Sequence, residues 1–508
     1  MSGIIFKNIS STYLSRIWIG LISFLSVPYL IRKLGVDAYG VLSLSMIVIG
    51  YSALFDFGLA RGVVKYIAEY NVLDNQKKLR KLIKSSLSIY TIIGLLGSVV
   101  LGVLTHFFLT RIFKIPVWLH QEALVVFYLT SFYLIFRLPQ LLVQAITIGY
   151  QKIYLLNFLN TIFNSLKILL SVAAVSLGYY LEAVAIVNIV IGIIHFIVLY
   201  NFVEKFLPHG SIAFGYDKDT VSMVLRYSLK SFTADSLGMF ITYIDKFIIG
   251  IFLPIASLAY YSVPFELTSR VWEFQVAAVA TVFPTFSMYN SAGERDNFNG
   301  LYRKVTKFII ITAAFISSFL CVFATQILKY WISPEFAQHT SQILRIISWG
   351  VLTSSVLSIA GIILYSTSNL NRAIKVNAIM LIIHIILSLL LIKYLGMLGI
   401  ALSWFLTHVI GMIILIPWIN RSIVHFPAKE YAYGLVKPIG LALGTAIVSY
   451  YLFRGFITNL ISLALIAVVH LLLYALLTYF FLLLPRERQL IKFFSSRIIH
   501  KFTFGAAS

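Results

Sequence analysis

Long apolar runs recur along the whole chain, each separated from the next by a short polar connector. A transmembrane α-helix needs about 20 mostly apolar residues, and all its backbone N–H and C=O groups must be hydrogen-bonded within the protein. Only 11% of the residues are charged, whereas a soluble protein carries about 25%. The sequence therefore predicts an all-α integral membrane protein with about 14 transmembrane helices. The candidate runs cover residues 11–31, 40–66, 84–109, 123–147, 154–177, 182–203, 223–252, 258–288, 307–331, 341–366, 376–394, 398–419, 435–453 and 459–484.

The formal net charge of +22 comes mainly from Lys and Arg residues in the connectors. If the N-terminus is cytoplasmic, the loops on that side hold about three times as many basic residues as the opposite loops, as the positive-inside rule expects. This asymmetry predicts that both termini are cytoplasmic. A nucleic-acid partner is not expected, because it would need a basic face on a soluble domain.

Several kinds of site are missing from the sequence. The single cysteine, Cys321, lies in an apolar run, so neither a disulfide framework nor a thiolate metal cluster is expected. We find no GxxxxGK[ST], GxSxG or HExxH motif and no connector long enough for a soluble catalytic domain. The sequence predicts a protein that is not an enzyme and has no cofactor and no metal site. Only Lys7 precedes the first apolar run, and no cleavage site follows it, so we expect an uncleaved first helix.

Short segments repeat at a spacing of about 220 residues. GYQKIYLLN at 149–157 matches NLNRAIKVN at 369–377, and LGYYLEAVA at 177–185 matches LGMLGIALS at 395–403. Because this spacing contains six runs, an even number, the two halves are expected to run parallel in the membrane. We predict an N-lobe at 1–203, a cytoplasmic loop at 204–222, a C-lobe at 223–420, an appended helix pair at 421–484 and a basic cytoplasmic tail at 485–508.

Polar residues follow one face of the fifth predicted helix. They recur at steps of 3, 4, 3 and 4 residues, which brings them to the same side of an α-helix, and they are Asn157, Asn160, Asn164, Lys167 and Ser171. Each would be costly against lipid. The face is therefore expected to line a water-filled cavity; the alternative is an interhelical hydrogen-bonding seam. The corresponding helix of the second half carries Asn377, His384 and Ser388 on the equivalent face but no cation.

Basic residues inside the apolar runs are candidates for binding an anion. Arg137 lies near the middle of the fourth run, and its guanidinium is a suitable ligand for phosphate unless it pairs with a buried acid. Arg61 and Lys65 lie at the cytoplasmic end of the second run, where snorkelling to the interface is an equally good explanation, and Arg16 is in a similar position on the first run.

Acidic residues inside the runs are candidates for ion coupling. Glu266, Arg270 and Glu273 are spaced as i, i+4 and i+7, which is typical of a self-neutralising cluster, although Arg270 is also a candidate cation of the cavity. Asp56 and Asp235 are expected to carry a proton or to pair with Arg137 or Lys167. The adjacent Asp245 and Lys246 are expected at the membrane interface. The histidines at 195, 384, 408 and 470 are scattered singly, as in a core or cavity.

The connector RKLGVDAYG at 32–40 and the segment DFGLARG at 56–62 resemble the opening of the bacterial polysaccharide transporters. These are the O-antigen (Wzx-type) flippases of lipid-linked oligosaccharides, within the multidrug/oligosaccharidyl-lipid/polysaccharide exporter superfamily. The resemblance implies two six-helix lobes with an appended helix pair. It also implies a location in the bacterial cytoplasmic (inner) membrane and a role in polysaccharide or lipopolysaccharide biosynthesis.

This resemblance leads to an expected function. We expect a flippase that moves a polyprenyl-diphosphate-linked oligosaccharide by alternating access, with membrane lipid, H⁺ or Na⁺ and polysaccharide-assembly proteins as further partners. Lys167 and Arg137 would attract the diphosphate, and Asn157, Asn160 and Asn164 would bind sugar hydroxyls. The alternatives are a multidrug/cation antiporter of the same superfamily, a flippase for the peptidoglycan lipid precursor, and a non-transporting scaffold of a glycan-assembly complex.

Overall fold

The computed structural model describes residues 2–489 except 209, 212, 368 and 486, and it leaves undescribed the side chains of 2–6, 9, 53, 230, 231, 234, 235, 272–281 and 428. Over these residues the protein is built of α-helices with short connectors. The helices are α1 (Ser2–Leu34), α2 (Val36–Tyr51), α3 (Leu59–Val72), α4 (Gln76–Phe107), α5 (His120–Gly149), α6 (Ile153–Ser176), α7 (Leu181–Glu204), α8 (Lys218–Phe252), α9 (Ala256–Ala292), α10 (Arg295–Val322), α11 (Ala324–Trp331), α12 (Pro334–Ser366), α13 (Leu370–Leu395), α14 (Met397–Ile419), α15 (Ala428–Phe453) and α16 (Leu460–Phe481).

Polar caps set where several helices begin. The side chains of Asn75, Asp217 and Ser333 accept hydrogen bonds from backbone N–H groups three residues later, at the starts of α4, α8 and α12. Asn459 and Ser462 form a reciprocal capping box at the start of α16. The first turn of a helix leaves N–H groups without intrahelical partners, so a polar residue just before an apolar run fixes the helix start.

Each predicted apolar run overlaps a helix or a pair of consecutive helices, and the runs at 84–109, 154–177 and 459–484 extend slightly beyond α4, α6 and α16. Eleven helices in the described part of the chain are long and apolar enough to cross a membrane, and α2 is a shorter apolar helix. The all-α, multi-pass architecture is therefore confirmed, whereas the number fourteen stays a prediction.

The run at 40–66 was expected to be one helix, and this is wrong. The structure divides it into α2 and α3, joined by a 3₁₀ turn at Ser52–Leu54 and by four further residues. Phe57 and Gly58 have φ angles of 50° and 75°, which no right-handed helix allows. The carboxylate of Asp56 accepts a hydrogen bond from the N–H of Ala60 at 3.1 Å, so it caps the first turn of α3 instead of standing inside a helix.

Packing divides the described chain into two compact units, whose limits differ from those of the predicted lobes. The first unit comprises Met1–Val263 and Leu370–Ser403, and the second comprises Pro264–Asn369 and the described residues from Trp404 onward. The lobe boundaries stay a prediction.

Within the first unit, α5 packs against α4 and α7, α6 packs against α1 and α7, and α13 packs against α8. A buried apolar cluster of this unit lies among α3, α4, α5, α6, α7 and the start of α8, and it includes Ile67, Leu82, Tyr90 and Leu142. Within the second unit, α10 packs against α12 and α15, and α11 packs against α12 and α16. The arrangement of α5, α6 and α7 brings the polar faces of these helices together.

Candidate functional site

The polar face of α6 has two different environments along its length. Near its start, the amide of Asn157 donates to the hydroxyls of Ser11 and Thr12 on α1, at 3.0 and 2.8 Å. Near its end, Ser171 accepts a hydrogen bond from Asn188 at 3.3 Å. The ends of the face therefore belong to interhelical seams, whereas its central residues, Asn160, Asn164 and Lys167, line a cavity.

This cavity has a volume of about 430 Å³, which is within the range of about 300–1,000 Å³ typical of small-ligand sites. It lies among α2, α5, α6 and α7 of the first unit. Its polar lining consists of Ser45, Thr130, Tyr133, Arg137, Gln140, Gln144, Asn160, Asn164, Lys167, Asn188 and His195, and its apolar lining consists of Leu42, Met46, Ile49, Ala185 and Ile189. Arg137 and Lys167 are thus brought together, although 30 residues separate them in the sequence.

Gln140 connects Arg137 with His195. Its side-chain oxygen accepts a hydrogen bond from Arg137 Nη1 at 3.2 Å and one from the Tyr133 hydroxyl at 3.4 Å. Its amide nitrogen lies 3.1 Å from His195 Nδ1. Because a guanidinium can only donate, the oxygen of Gln140 must face Arg137, and the amide nitrogen must donate to His195.

These contacts determine the tautomer of His195. Since Nδ1 accepts from Gln140, the proton of the neutral ring is on Nε2. Nε2 is buried and has no hydrogen-bond partner among the described residues. The ring is held by stacking on Phe163, with ring centroids 4.7 Å apart and an interplanar angle of 12°. His195 is therefore held in a fixed orientation at the cavity lining, whose positive charges come from Lys167 and Arg137.

No carboxylate is among the residues that line this cavity. In the described part of the chain, Lys167 Nζ has no hydrogen-bond acceptor and no acidic partner; it lies over the ring of Tyr133, 5.6 Å from the centroid. Arg137 has no acidic partner there either, and its Nε is buried without a hydrogen bond. A cation inside a membrane protein is costly unless something compensates its charge. The cavity is therefore suited to an anion.

The remaining predicted cations are not among the residues that line the cavity. Arg61 and Lys65 are exposed on α3, and Lys65 Nζ lies over the rings of Tyr66 and Tyr227, at 4.6 and 4.1 Å from their centroids. Arg16 is half-buried on α1. Arg270 belongs to the second unit. Their predicted roles as an entrance or as cavity cations stay predictions.

The acidic residues that were predicted to couple ions lie in different environments. Asp56 is buried at the break before α3, and Glu266 is exposed on α9. The side chains of Asp235 and Glu273 lie outside the described residues. Within the described part of the chain, neither Lys167 nor Arg137 pairs with an acid.

Asp245 and Lys246 are buried within the protein, with exposed fractions of 0% and 6%, and their expected position at the membrane interface stays a prediction. His384 was predicted to line a cavity with Asn377. Its ring is fully buried, and its Nε2 lies 2.6 Å from Oδ1 of Asp245. Neither His384 nor Asn377 is among the lining residues of the cavity described above.

The sequence contained a second signal that our interpretation missed. Tyr133, Arg137, Gln140 and Gln144 recur at steps of 4, 3 and 4 residues on α5, the same periodicity as on α6. We considered Arg137 alone, because the other three side chains are uncharged. Asn188 and His195 on α7 are seven residues apart and share a helix face, but two polar residues are a weaker signal than the four on α5.

Solved structures of two transporters share this fold. The lipid II flippase MurJ, in an inward closed conformation, superposes with a TM-score of 0.71 at 17% identity, over 94% of this chain and 98% of that chain. A multidrug resistance MATE family transporter of the MOP superfamily, in an inward-facing conformation, gives a TM-score of 0.67 at 13% identity, over 83% of this chain and 98% of that chain. The expected transporter fold is thereby confirmed.

Sequence relatives agree with the resemblance to polysaccharide transporters that residues 32–40 and 56–62 indicated. A Shigella flexneri protein assigned as an O-antigen transporter is 22% identical over 400 residues, which are 78% of this chain and 93% of that protein. A Haloferax volcanii protein assigned as a low-salt glycan biosynthesis flippase is 24% identical over 193 residues, 38% of this chain and 40% of that protein. The family described as polysaccharide biosynthesis protein matches residues 5–290. Since this match covers more than half of the 508 residues, the chain belongs to the polysaccharide biosynthesis protein family.

Proposed function

We propose that this protein is a flippase that moves a polyprenyl-diphosphate-linked oligosaccharide from the inner to the outer leaflet of the bacterial inner membrane. The observation that carries the proposal is the cavity of the first unit, which is lined by Lys167 and Arg137 with no carboxylate among its lining residues. Family membership and the named relatives support the substrate class.

The chemistry of such a substrate matches the lining of the cavity. A diphosphate is an anion with many acceptor oxygens, and moving it through hydrocarbon without compensation is prohibitive. Lysine and arginine bind phosphate as donors of charge-assisted hydrogen bonds. The amides of Asn160, Asn164 and Gln144 both donate and accept, so they suit sugar hydroxyls. The apolar polyprenyl tail can stay in the lipid while the headgroup crosses.

The transport cycle is part of the same proposal. Alternating access would expose the cavity first to the cytoplasm and then to the outer side, with both termini cytoplasmic and with H⁺ or Na⁺ as the coupling ion. The chain would act as a transporter and not as an enzyme, together with other proteins of polysaccharide assembly.

The alternatives can be compared on the same cavity. A multidrug exporter for cationic compounds would need acids to neutralise its substrates, and the described lining of this cavity offers two cations instead. A flippase of the peptidoglycan precursor would carry the same diphosphate, but the fold shared with MurJ at 17% identity supports that function only weakly, whereas both named sequence relatives support the oligosaccharide flippase. Complementation separates the two: a flippase of the peptidoglycan precursor should restore growth to cells that lack one, whereas an O-antigen flippase should restore only surface polysaccharide.

The proposal is tested in the source organism, after deletion of its own copy of the gene. The wild-type gene, supplied on a plasmid, should restore the surface polysaccharide. Lys167→Ala and Arg137→Ala should each fail to restore it while their protein reaches the wild-type level in the membrane. Normal polysaccharide with both variants would contradict the proposal.

A further inference from the structure

A second polar cluster lies inside the first unit, away from the cavity lining. It consists of Asp245 on α8, Tyr261 on α9 and His384 on α13, and each of these side chains is fully buried. Asp245 and His384 are 139 residues apart in the sequence, and their contact joins α8 to α13. A buried carboxylate–imidazole pair in a membrane protein is expensive to maintain, so a functional role must be considered.

The hydrogen bonds of the cluster can be followed atom by atom. Asp245 Oδ1 lies 2.6 Å from His384 Nε2, and Oδ2 accepts a short hydrogen bond from the Tyr261 hydroxyl. A protonated imidazole donates to a carboxylate through a charge-assisted hydrogen bond, which is shorter and stronger than a neutral one. The 2.6 Å contact therefore suits the state in which the Asp245–His384 pair holds an additional proton.

Other titratable groups surround the pair. On α8, Lys246 follows Asp245, and its Nζ lies over the ring of Tyr243, 5.8 Å from the centroid. From α2, the ring of Tyr51 packs against Tyr243, with centroids 5.4 Å apart. On α13, Ser388 shares a 2.6 Å hydrogen bond with Ser403. The charged groups placed around the pair are therefore Asp245 itself and the neighbouring Lys246.

We propose that Asp245, His384 and Tyr261 form a proton-binding site that couples the conformational cycle to the transmembrane proton gradient. One proton binds to the imidazole from water and returns to water, and no other bond forms or breaks. This inference rests on the proposed transport function, and it names the coupling ion that the sequence left open between H⁺ and Na⁺.

The ligands of the site favour a proton over a metal ion. Hard cations bind to several oxygen atoms. Here one carboxylate oxygen faces an imidazole nitrogen and the other faces a phenol that donates to it. A Na⁺ ion would have to displace both donors, whereas a proton fits between Asp245 and His384 without any rearrangement.

Loss of the proton changes the forces between the helices. Without that proton the contact between Asp245 and His384 is no longer a hydrogen bond between two charged groups, so it holds α8 and α13 together less strongly. Since the pair is sealed from solvent, the proton can leave only when α13 separates locally from α8 or α14. Proton release and helix movement are therefore linked.

The first test measures protons directly. Purified protein in weakly buffered detergent is shifted from pH 8 to pH 5.5, and proton uptake is recorded with the dye pyranine. We expect His384→Gln and Asp245→Asn to take up about one proton fewer per chain than the wild type. Ser388→Ala is the matched control, because it alters a buried polar pair one turn away on α13 that does not titrate, and it should take up as many protons as the wild type.

The second test measures coupling in cells. Nigericin, which collapses the pH gradient, should stop restoration of surface polysaccharide by the wild-type gene, whereas replacement of Na⁺ in the medium by K⁺, which removes the inward Na⁺ gradient, should not. Equal proton uptake by the wild type and by a folded His384→Gln or Asp245→Asn variant would overturn the inference, as would dependence on the Na⁺ gradient. If one of the two variants, His384→Gln or Asp245→Asn, does not elute from size-exclusion chromatography as a monodisperse species, proton uptake by the other variant tests the inference.

Binding of undecaprenyl diphosphate separates this inference from the proposed function. If the wild type does not bind this lipid but His384→Gln still lowers proton uptake, the flippase proposal fails and the proton site stands. If the wild type binds the lipid and the two variants match its proton uptake, the proton site fails and the flippase proposal stands.

Discussion

Replacement of Lys167 by methionine tests whether the charge of this one side chain contributes to ligand binding in the cavity. Methionine keeps most of the length and apolar volume of the lysine stem and removes only the charge. In the structure the ammonium has no acidic partner among the described residues, so no internal ion pair is broken by the change. Any loss of binding should then report a contact with the ligand.

The size of the effect can be worked out from the charges. An ammonium and a phosphate oxygen about 4 Å apart attract each other by about 4 kcal/mol at an effective dielectric constant of 20. Both groups lose hydration on binding, so the net contribution of such a charged hydrogen bond is about 1.5–3 kcal/mol. At 1.4 kcal/mol for each factor of ten, Lys167→Met should raise the Kd for undecaprenyl diphosphate about 10- to 150-fold. Arg137 remains, so binding is weakened but not abolished.

The assay is titration of purified protein in nanodiscs with undecaprenyl diphosphate and, as an uncharged control ligand, undecaprenol. Lys167→Met should leave the affinity for undecaprenol unchanged. The matched control variant is Lys152→Met, because Lys152 immediately precedes the same helix and lies over the ring of Phe206, at 3.6 Å, outside the cavity lining. It should bind both lipids as the wild type does.

Lys167→Met should weaken ligand binding but increase the stability of the ligand-free protein. A buried cation without a counter-charge is unfavourable, so its replacement by an apolar side chain should stabilise the ligand-free protein. Since Lys167 is only half-buried, we expect about 1 kcal/mol, measured as a higher melting temperature. Wild-type affinity of Lys167→Met for undecaprenyl diphosphate, or an equal loss in Lys152→Met, would refute the reasoning.

Three further substitutions test other contacts. Gln140→Leu leaves a buried guanidinium and imidazole without their common partner, so it should raise the Kd for undecaprenyl diphosphate about tenfold and lower the melting temperature. Asp56→Asn can still cap α3, so it should restore surface polysaccharide as the wild type does; loss of function without loss of protein would instead indicate ion coupling at Asp56. Gly62→Val should destabilise the protein by about 1–3 kcal/mol, because a Cβ atom there would lie 2.6 Å from Ser228 Oγ, whereas Gly300→Val, which meets no neighbour within 4 Å, should cost less in a denaturation experiment.

Much of the fold could be predicted from the sequence, because an apolar segment that crosses a bilayer can satisfy its own backbone hydrogen bonds only as a helix. A run of about 20 apolar residues must be helical, and its limits are marked by caps such as Asn75 and Ser333. The break between α2 and α3 could not be predicted in this way. It depends on positive φ angles at Phe57 and Gly58, and a phenylalanine in that conformation has no sequence signature.

Only part of the candidate site could be predicted from the sequence. Helical periodicity showed which residues share a face of α6, but it could not say whether lipid, another helix or a cavity covers that face. The structure gives different answers along one helix, a seam at Asn157 and a cavity at Lys167. Contacts between distant segments, such as Gln140 with His195 or Asp245 with His384, have no local pattern at all.

The most direct test of the account is a cryo-electron microscopy structure of the protein in nanodiscs with bound undecaprenyl diphosphate. We expect diphosphate density inside the cavity of α2, α5, α6 and α7, with phosphate oxygens within hydrogen-bond distance of Lys167 Nζ and the Arg137 guanidinium. Density for the diphosphate elsewhere in a saturated complex, with these two side chains placed as they are here, would contradict the central claim that they attract the headgroup.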